Sequence, residues 1–245
     1  MTNDTETTKE KEAPPTADRS RLAMGWYRLV QVTVATLLSS VSGIRVSGRN
    51  NLPEHGGALL VSNHVSHLDV FILGIPLHRP LNYVARSTLF LPLLGSFIRS
   101  VGGFPIQREG MGVQGLKETL RRIKKGGIVV LFPEGTRSRD GELGELKSGI
   151  SVLASRARVA VVPAGIAGTF EAWPRSRAFP LPHPVRIHYG PPILPEELEG
   201  LDTEAVTALI RGRILECLDV ARAGLQRDLQ NDPEKTAVGR IGKLG

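Results

Sequence analysis

The stretch from Ala58 to Asp69 reads ALLVSNHVSHLD, and it decides the fold of this chain. Residues 58–62 are apolar or small, which is typical of a strand that is buried on both faces of a sheet. Ser66 and Asp69 have the spacing of a capping box, so the pattern predicts a helix that begins at Ser66. His64 then lies in the loop just before the helix. The stretch therefore predicts a strand that leads directly into a helix.

The same alternation of strand-like and helix-like stretches continues along the chain. Short apolar or β-branched runs punctuated by Gly, Pro or Asn predict strands at residues 58–62, 81–85, 104–107, 128–132, 159–163 and 185–189. Helical patterns follow at residues 69–77, 112–125, 147–156 and 196–229. This order predicts an α/β fold in which a mixed, largely parallel sheet is flanked by helices.

The residues before this region have a different composition and lack the alternation of strands and helices. Residues 1–21 are polar and carry no apolar run, which predicts a disordered tail rather than a secretory signal peptide. Residues 22–45 mix apolar and polar side chains, with Trp26 and Tyr27 near one end and arginines around them. This pattern predicts an amphipathic helix in a membrane interface, with a helix packed on the domain or a membrane span as alternatives.

We assign the rest of the chain to three segments. Residues 46–195 form the main domain, residues 196–230 a C-terminal helical segment, and residues 231–245 a flexible tail. The single Cys217 excludes an internal disulfide and a multi-cysteine zinc site. A reducing environment on the cytoplasmic face is compatible with that composition.

The charge balance narrows the classes of partner. The chain has 31 Lys and Arg against 24 Asp and Glu, and its pI is about 9.9. An excess of positive charge favours anionic partners such as a phospholipid surface or a phosphorylated substrate. Aromatic residues make up 5% of the chain, and no basic run is interleaved with them. The sequence therefore argues against nucleic-acid binding.

The residues that follow the predicted strands are the candidate site, because ligands collect at the carboxyl ends of strands in such sheets. His64 and Asp69 can pair only if His64 precedes the helix, since positions five apart on one helix lie about 140° apart. An imidazole held by a carboxylate at one nitrogen presents the other as a base. The alternatives are a capped helix beside an ordinary loop histidine, and a metal site with His67, which no further cluster completes.

Two further strand ends are candidates for binding anions. Residues 132–138 read FPEGTRS, in which Arg137 offers a planar set of donors for phosphate oxygens. Glu134 is a candidate either to hold that arginine or to bond an acceptor hydroxyl. Taken alone, this string is more typical of a surface turn with a solvated ion pair. Arg108 follows the stretch at residues 104–107, and an exposed charge is the alternative there.

Together, the order and spacing of these strand ends resemble the glycerolipid acyltransferases of the 1-acylglycerol-3-phosphate (lysophosphatidic acid) acyltransferase family. The family's first signature, Asn-His followed by four residues and Asp, is complete in residues 63–69, and its third matches residues 132–138 in full. The second resembles residues 103–108, where Pro105 departs from the pattern, and the fourth corresponds to residues 162–164. The resemblance covers residues 46–193, the presumed catalytic domain.

The resemblance implies a membrane-associated O-acyltransferase of phospholipid biosynthesis. It implies transfer of a fatty acyl group from acyl-CoA or an acyl-carrier protein to the free hydroxyl of 1-acylglycerol-3-phosphate, without a cofactor, a metal or an acyl-enzyme intermediate. His64 is then the base, oriented by Asp69. The residues that it implies for the acceptor's phosphate region are Arg108, Glu134, Gly135, Thr136, Arg137 and Lys147.

Several alternatives stay open at this point. The acceptor could equally be glycerol-3-phosphate, another lysophospholipid or a lyso-aminolipid, and a non-catalytic lipid-binding protein is a different class of function. A serine esterase is disfavoured because the sequence has no Gly-x-Ser-x-Gly string. Residues 89–98 are almost entirely apolar and suit an acyl groove, a membrane contact or core. Backbone N–H groups near the start of the helix at Ser66 are expected to stabilise an oxyanion.

Overall fold

The fold is built on one sheet. The computed structural model describes residues 19–106 and 112–231. Its strands are β1 (Ile44–Ser47), β2 (Ala58–Ser62), β3 (Leu81–Arg86), β4 (Gly103–Ile106), β5 (Ile128–Leu131), β6 (Val161–Ala167) and β7 (Val185–Tyr189). Within the described residues the strand order is β1-β7-β6-β2-β5-β3-β4. Neighbouring strands are parallel except β6 and β7. The predicted mixed, largely parallel sheet is confirmed.

Helices flank this sheet on both faces. They are α1 (Arg21–Val41), α2 (Asp69–Ile72), α3 (Pro92–Ser100), α4 (Gly112–Lys124), α5 (Gly149–Ala157), α6 (Thr169–Ala172) and α7 (Thr203–Asn231). Short 3-10 turns lie at Arg49–Asn51, Ser87–Leu89 and Pro195–Leu198. Residues 1–18 and 232–245, which include most of both predicted tails, lie outside the described residues.

The side chains of β2 show why the strands read as continuous apolar runs. Successive side chains of a strand point to opposite faces of the sheet. Ala58 and Leu60 belong to the core on the α2 side, whereas Leu59 and Val61 pack with α4, α5 and α7. All four are fully buried. Both faces of the sheet are therefore covered, as a parallel sheet requires.

Several elements depart from the predicted boundaries. Helix α2 ends at Ile72 rather than at residue 77, and β6 runs over Val161–Ala167 rather than over residues 159–163. Strand β1 pairs in parallel with β7, and the predicted boundary between residues 45 and 46 cuts through it. Four residues with alternating exposure are too short a pattern to stand out beside the apolar helix before them. The predicted helix at 196–229 is a 3-10 turn followed by α7, separated at Gly200, whose φ of +76° is not helical.

Helix α1 is docked onto the domain by one of its faces. Tyr27 is buried and its hydroxyl accepts from the N–H of Leu81 at 3.2 Å. The Gln31 amide donates to the carbonyls of Gly74 at 2.6 Å and Leu77 at 2.9 Å. No helix in the described ranges combines the length and the apolarity needed to cross a membrane.

The sheet order places the site at its centre. Strand β2 lies between β5 and β6. The next three strands of the chain, β3, β4 and β5, lie on one side of β2, and β6 lies on the other side. Such a reversal opens a crevice at the carboxyl ends of the strands. The loops that follow β2 and β5 therefore meet at this edge, because Val61 and Leu131 are paired in register.

Candidate active site

The loop after β2 brings an imidazole and a carboxylate together. Nδ1 of His64 lies 2.9 Å from Oδ2 of Asp69, and the Asp69 side chain is fully buried. His64 precedes α2, as the sequence predicts, and Asp69 is the first residue of that helix. Because Nδ1 faces the carboxylate, Nε2 is the nitrogen left to accept a proton.

Helix α2 begins later than predicted because only one of the two hydrogen bonds of the capping box forms, the bond from the Ser66 N–H to the Asp69 carboxylate. The helix begins at Asp69 rather than at Ser66. The Asp69 carboxylate accepts from the N–H groups of Val65 at 2.7 Å and Ser66 at 2.8 Å. Oγ of Ser66, however, accepts from the N–H of Leu68 at 3.2 Å. The carboxylate therefore fixes both the loop backbone and the imidazole.

These bonds also correct the prediction about the oxyanion. The N–H groups of Val65 and Ser66 are donated to Asp69, and that of Leu68 is donated to Ser66. A donor that is already engaged does not stabilise a developing charge without losing its partner. The prediction is wrong for these three groups.

Asn63 fastens the loop to β6. Its side-chain amide donates to the carbonyl of Ile166 at 3.0 Å, and its Oδ1 accepts from the N–H of Ile166 at 2.9 Å. The side chain is fully buried. It thus extends the ladder between β2 and β6 by one step, which explains why an amide residue precedes His64.

The loop after β5 completes the setting of His64. The imidazole stacks on the Phe132 ring, with centroids 4.0 Å apart and planes 18° from parallel. The N–H of Ser138 donates to the His64 carbonyl at 2.8 Å. Only 17% of the His64 side chain is exposed. The ring is therefore held in one orientation by Asp69 on one side and Phe132 on its face.

Glu134 supports the loop rather than facing a ligand. Its Oε1 accepts from the His64 N–H at 2.9 Å, and its Oε2 accepts from the Gly144 N–H at 3.0 Å. Burial raises the pKa of Glu134, while these two amide donors act against that rise. The predicted contact with Arg137 is not formed. Both carboxylate oxygens thus bind backbone N–H groups, and Glu134 does not line the cavity beside His64.

Gly135 joins two basic side chains at the edge of the site. Arg86 donates to the Gly135 carbonyl at 3.0 Å. The φ of Gly135 is +69°, and a Cβ there would lie 2.8 Å from Cε of Lys147. Any larger residue would therefore be strained and would displace Lys147. The glycine lets the turn pass beneath the lysine and keeps both cations close to Arg137.

A cavity of about 740 Å³ opens beside His64. Its apolar walls come from α1, from α2 and the residues after it, and from α3 and the 3-10 turn before it. They include Val30, Val34, Phe71, Ile75, Leu89, Leu94, Phe97 and Ile98. Its basic side chains are Arg86, Arg137, Lys147 and Arg175. Strand β3 runs along the cavity from Tyr83, close to Gly74, to Arg86, which contacts Gly135. The cavity therefore joins an apolar region to a cationic rim at His64.

The electrostatics of the rim favour an anion. Burial and the neighbouring guanidinium of Arg175 lower the pKa of Arg137, and its Nη1 is buried without a hydrogen-bond partner. Burial, followed by the charges of Arg137 and His64, lowers the pKa of His67. His67 lies against Trp173, with ring centroids 5.1 Å apart. An anionic ligand would relieve the repulsion among these like charges.

The structure thus gathers most of the residues predicted from sequence. His64, Gly135, Thr136, Arg137 and Lys147 all line the cavity, and Asp69 lies directly behind His64. Arg108 lies outside the described residues. Arg86 and Arg175 also line the cavity, and sequence reasoning missed them. Arg86 directly follows the predicted strand at 81–85, so the rule that pointed to Arg108 could have found it.

In the described residues, no group of three or more His, Cys, Asp or Glu side chains is placed to hold a metal. Cys217 is buried in α7, where burial raises its pKa to about 11. A thiol with so high a pKa is a poor nucleophile at neutral pH.

Comparison with known proteins agrees with this geometry. A family model described as Acyltransferase matches residues 43–167. This chain belongs to the acyltransferase family. The matched segment runs from just before β1 to the end of β6, so it includes both loops of the candidate site.

Relatives in the acyltransferase family carry a specific name. The chain is 34% identical over 197 residues to the chloroplastic 1-acyl-sn-glycerol-3-phosphate acyltransferase LPAT1 of Arabidopsis thaliana. The aligned residues cover 76% of this chain and 54% of the plant protein. It is 31% identical over 144 residues to the 1-acyl-sn-glycerol-3-phosphate acyltransferase of Bacillus subtilis (strain 168), covering 58% of this chain and 71% of the relative. The chain therefore spans about half the length of the plant relative.

A solved structure shares the acyltransferase fold. The crystal structure of the 1-acyl-sn-glycerophosphate (LPA) acyltransferase PlsC from Thermotoga maritima matches with a TM-score of 0.69. The match covers 87% of this chain and 84% of that one, at 22% sequence identity.

Proposed function

We propose that this chain transfers a fatty acyl group from a thioester to the free hydroxyl of 1-acylglycerol-3-phosphate, giving phosphatidic acid. The observation that carries the proposal is the His64–Asp69 pair beside a cavity that joins apolar walls to a cationic rim. In an acceptor with one acyl chain and one phosphate, the acyl chain matches the apolar walls and the phosphate matches the cationic rim. The names of the relatives at 31–34% identity support the same acceptor.

The reaction needs one base and no covalent intermediate on the protein. Nε2 of His64 takes the proton of the acceptor hydroxyl, whose oxygen attacks the thioester carbonyl. The new C–O ester bond forms, the C–S bond breaks, and the leaving thiolate takes the proton back from His64. Asp69 holds the ring at Nδ1 and stabilises the imidazolium that forms in between.

The cationic rim positions the acceptor. Arg137 carries a planar set of donors suited to phosphate oxygens, and both Lys147 and Arg86 lie close to Gly135, two residues before it. A phosphate bound there directs the hydroxyl toward Nε2, so that binding energy is used for orientation. We propose Arg108, which follows β4 in the sequence, as a further cation for the phosphate.

The apolar walls suit the acyl chain, and the donor is acyl-CoA or an acyl-carrier protein. Leu94, Phe97 and Ile98 of α3 line the cavity together with Val30 and Val34 of α1. Both donors present the same thioester to His64, so the chemistry is common to both. No cofactor takes part in the proposed reaction.

We also propose that the chain works at an anionic membrane surface, on the cytoplasmic side. Helices α1 and α3 expose large apolar side chains next to the cavity that they line, including Leu22, Leu29 and Leu93. The exposed cations Arg21 and Arg99 stand on the same two helices. Apolar insertion beside basic residues is the pattern of an interfacial helix.

Thiol release from an acyl thioester tests the proposal. The purified chain is given acyl-CoA or acyl-carrier protein with 1-acylglycerol-3-phosphate, glycerol-3-phosphate, another lysophospholipid or a lyso-aminolipid. We expect the highest kcat/KM with 1-acylglycerol-3-phosphate. We expect His64→Ala to lower it by roughly 100- to 10,000-fold, the usual contribution of a general base.

His55→Ala is the matched control, because His55 is an exposed loop histidine. It should keep wild-type activity. A higher kcat/KM with another acceptor would replace the proposed substrate. Equal thiol release by wild type and His64→Ala with every acceptor would reject the acyltransferase mechanism and favour a lipid-binding protein.

A further inference from the structure

The turn after α6 brings a cation to the site that belongs to none of the four sequence signatures. Trp173 and Arg175 both line the cavity. Oγ of Ser66 donates to the Trp173 carbonyl at 2.8 Å, so the turn is tied to the loop that carries His64. The Trp173 indole donates to the Arg177 carbonyl at 3.0 Å, and the Arg177 N–H donates to the Pro174 carbonyl at 3.1 Å. The backbone that carries Arg175 is therefore tied to the site, and the Arg175 side chain, which is exposed, lines the cavity.

The charge that Arg175 carries is not neutralised by the residues around it. Among the residues that the structure describes, neither Arg175 nor Arg137 forms an ion pair or donates a side-chain hydrogen bond. Arg175 is the neighbouring charge that most affects Arg137. Asp69, a carboxylate whose charge acts on Arg137, already binds the His64 ring and two backbone amides through Oδ2. The guanidinium groups of Arg137 and Arg175 thus share one cavity without a counterion from the described residues.

Such an arrangement discriminates among phosphates by their charge. A phosphate monoester carries a charge of about −1.5 to −2 at neutral pH and has three terminal oxygens. A phosphodiester headgroup carries a single negative charge and has two free oxygens. Two arginines are matched to the monoester, because each binds oxygens through its planar donors.

We propose that Arg175 is a specificity-determining residue that binds the phosphate monoester of the acceptor opposite Arg137. The inference rests on the proposed function and deepens it. It assigns selection for the doubly charged phosphate to a pair of arginines, one from the loop after β5 and the other from the turn after α6.

The test compares acceptors that differ in the phosphate. Wild type, Arg175→Gln and Arg175→Lys are assayed in micelles of uncharged detergent with 1-acylglycerol-3-phosphate, 1-acylglycerophosphocholine and 1-acylglycerol. We expect Arg175→Gln to raise KM for the monoester about ten-fold, the effect of one lost charge-assisted hydrogen bond. The values of kcat, the KM for the thioester and the kinetics with 1-acylglycerol should stay within two-fold. Arg175→Lys should recover part of the loss.

Arg139→Gln is the matched control, because Arg139 is exposed near the site and is not part of the cavity wall. It should leave every KM unchanged. Three outcomes would overturn the proposal: an unchanged KM for the monoester in Arg175→Gln, a rise in the KM for the thioester instead, or an equal loss with all three acceptors. Measurable wild-type transfer to 1-acylglycerol-3-phosphate upholds the proposed function in each of these cases. Its absence rejects that function and this inference with it.

Discussion

At the scale of single residues, Asp69 organises the site with one oxygen. Its Oδ2 accepts from the His64 ring and from two backbone N–H groups, whereas Oδ1 is buried without a partner. An aspartate accepts at every position, so all three donors are satisfied at once. The same carboxylate therefore shapes the loop and selects the tautomer of the base.

Asp69→Asn should damage the activity much more than the fold. The asparagine side chain has two possible orientations. In the first its oxygen accepts from the three donors, and its NH₂ group is buried without a partner at the position of Oδ1. In the second its NH₂ group faces the three donors and accepts none of their hydrogen bonds. We expect kcat to fall by roughly 100- to 10,000-fold and stability to fall by about 1–3 kcal/mol. Thiol release and thermal unfolding measure the two effects. Asp219→Asn, at an exposed carboxylate of α7, should change neither, and an Asp69→Asn protein with near-normal kcat would contradict the assignment.

Sequence reasoning reached some of these residues and misplaced others. The His64–Asp69 pair follows from a local pattern of seven residues, because both partners lie in one loop and the turn of helix that it enters. The position of Glu134 does not follow from a local pattern. It depends on the Gly144 N–H, ten residues away, and on the His64 N–H in the loop after β2. A carboxylate beside an arginine in sequence suggests an ion pair, and here the buried amides compete for it successfully.

At the scale of elements, α1 and α3 form one surface. The Trp26 indole donates to Oγ of Ser100 at 2.9 Å, which joins the two helices. Leu93 on α3 is 89% exposed and Leu22 on α1 is 88% exposed. From sequence, residues 89–98 suit an acyl groove, a membrane contact or core. In the structure some of their side chains line the cavity and others are exposed to solvent.

Leu93→Glu should weaken binding to membranes. Insertion of one leucine contributes about 1.5–3 kcal/mol, so its replacement by a charge should lower partition into anionic vesicles by at least about ten-fold. Co-sedimentation with vesicles that contain phosphatidylserine measures this. The matched variant is Val113→Glu, since Val113 is 69% exposed on α4, and it should bind as wild type does. Equal binding by both variants would show that the surface does not touch lipid.

At the scale of the whole molecule, Asp228 ties the last helix to the sheet. It lies on α7 and forms ion pairs with Arg45 of β1 and Arg186 of β7. Its side chain is only 8% exposed. The hydrogen bond from Arg186 is the main reason that the pKa of Asp228 lies below its usual value. Helix α7 also supplies Val206, Ile210 and Ile214 to the core, so it is part of the same folded unit.

Asp228→Asn should therefore cost stability in a pH-dependent way. A carboxyl whose pKa is lower in the folded state stabilises the protein above its unfolded pKa, and that contribution is lost as the pH falls through the folded pKa. We expect the variant to be about 1–3 kcal/mol less stable than wild type at pH 7, with the difference shrinking below about pH 4. Urea unfolding at several pH values measures this. Asp219→Asn, on the exposed side of α7, should show no such trend.

What the sequence determined by itself was everything carried by local order: the alternation that predicts the sheet, the strand-to-helix turn that places His64 before Asp69, and the FPEGTRS string after β5. These depend on neighbouring residues, so period and spacing report them. Only the tertiary structure decided which distant groups meet. It paired β1 with β7, turned Glu134 toward the loop after β2, and set Arg86 and Arg175 beside Arg137. The reason is that such contacts depend on the order of strands in space, which no short stretch of sequence encodes.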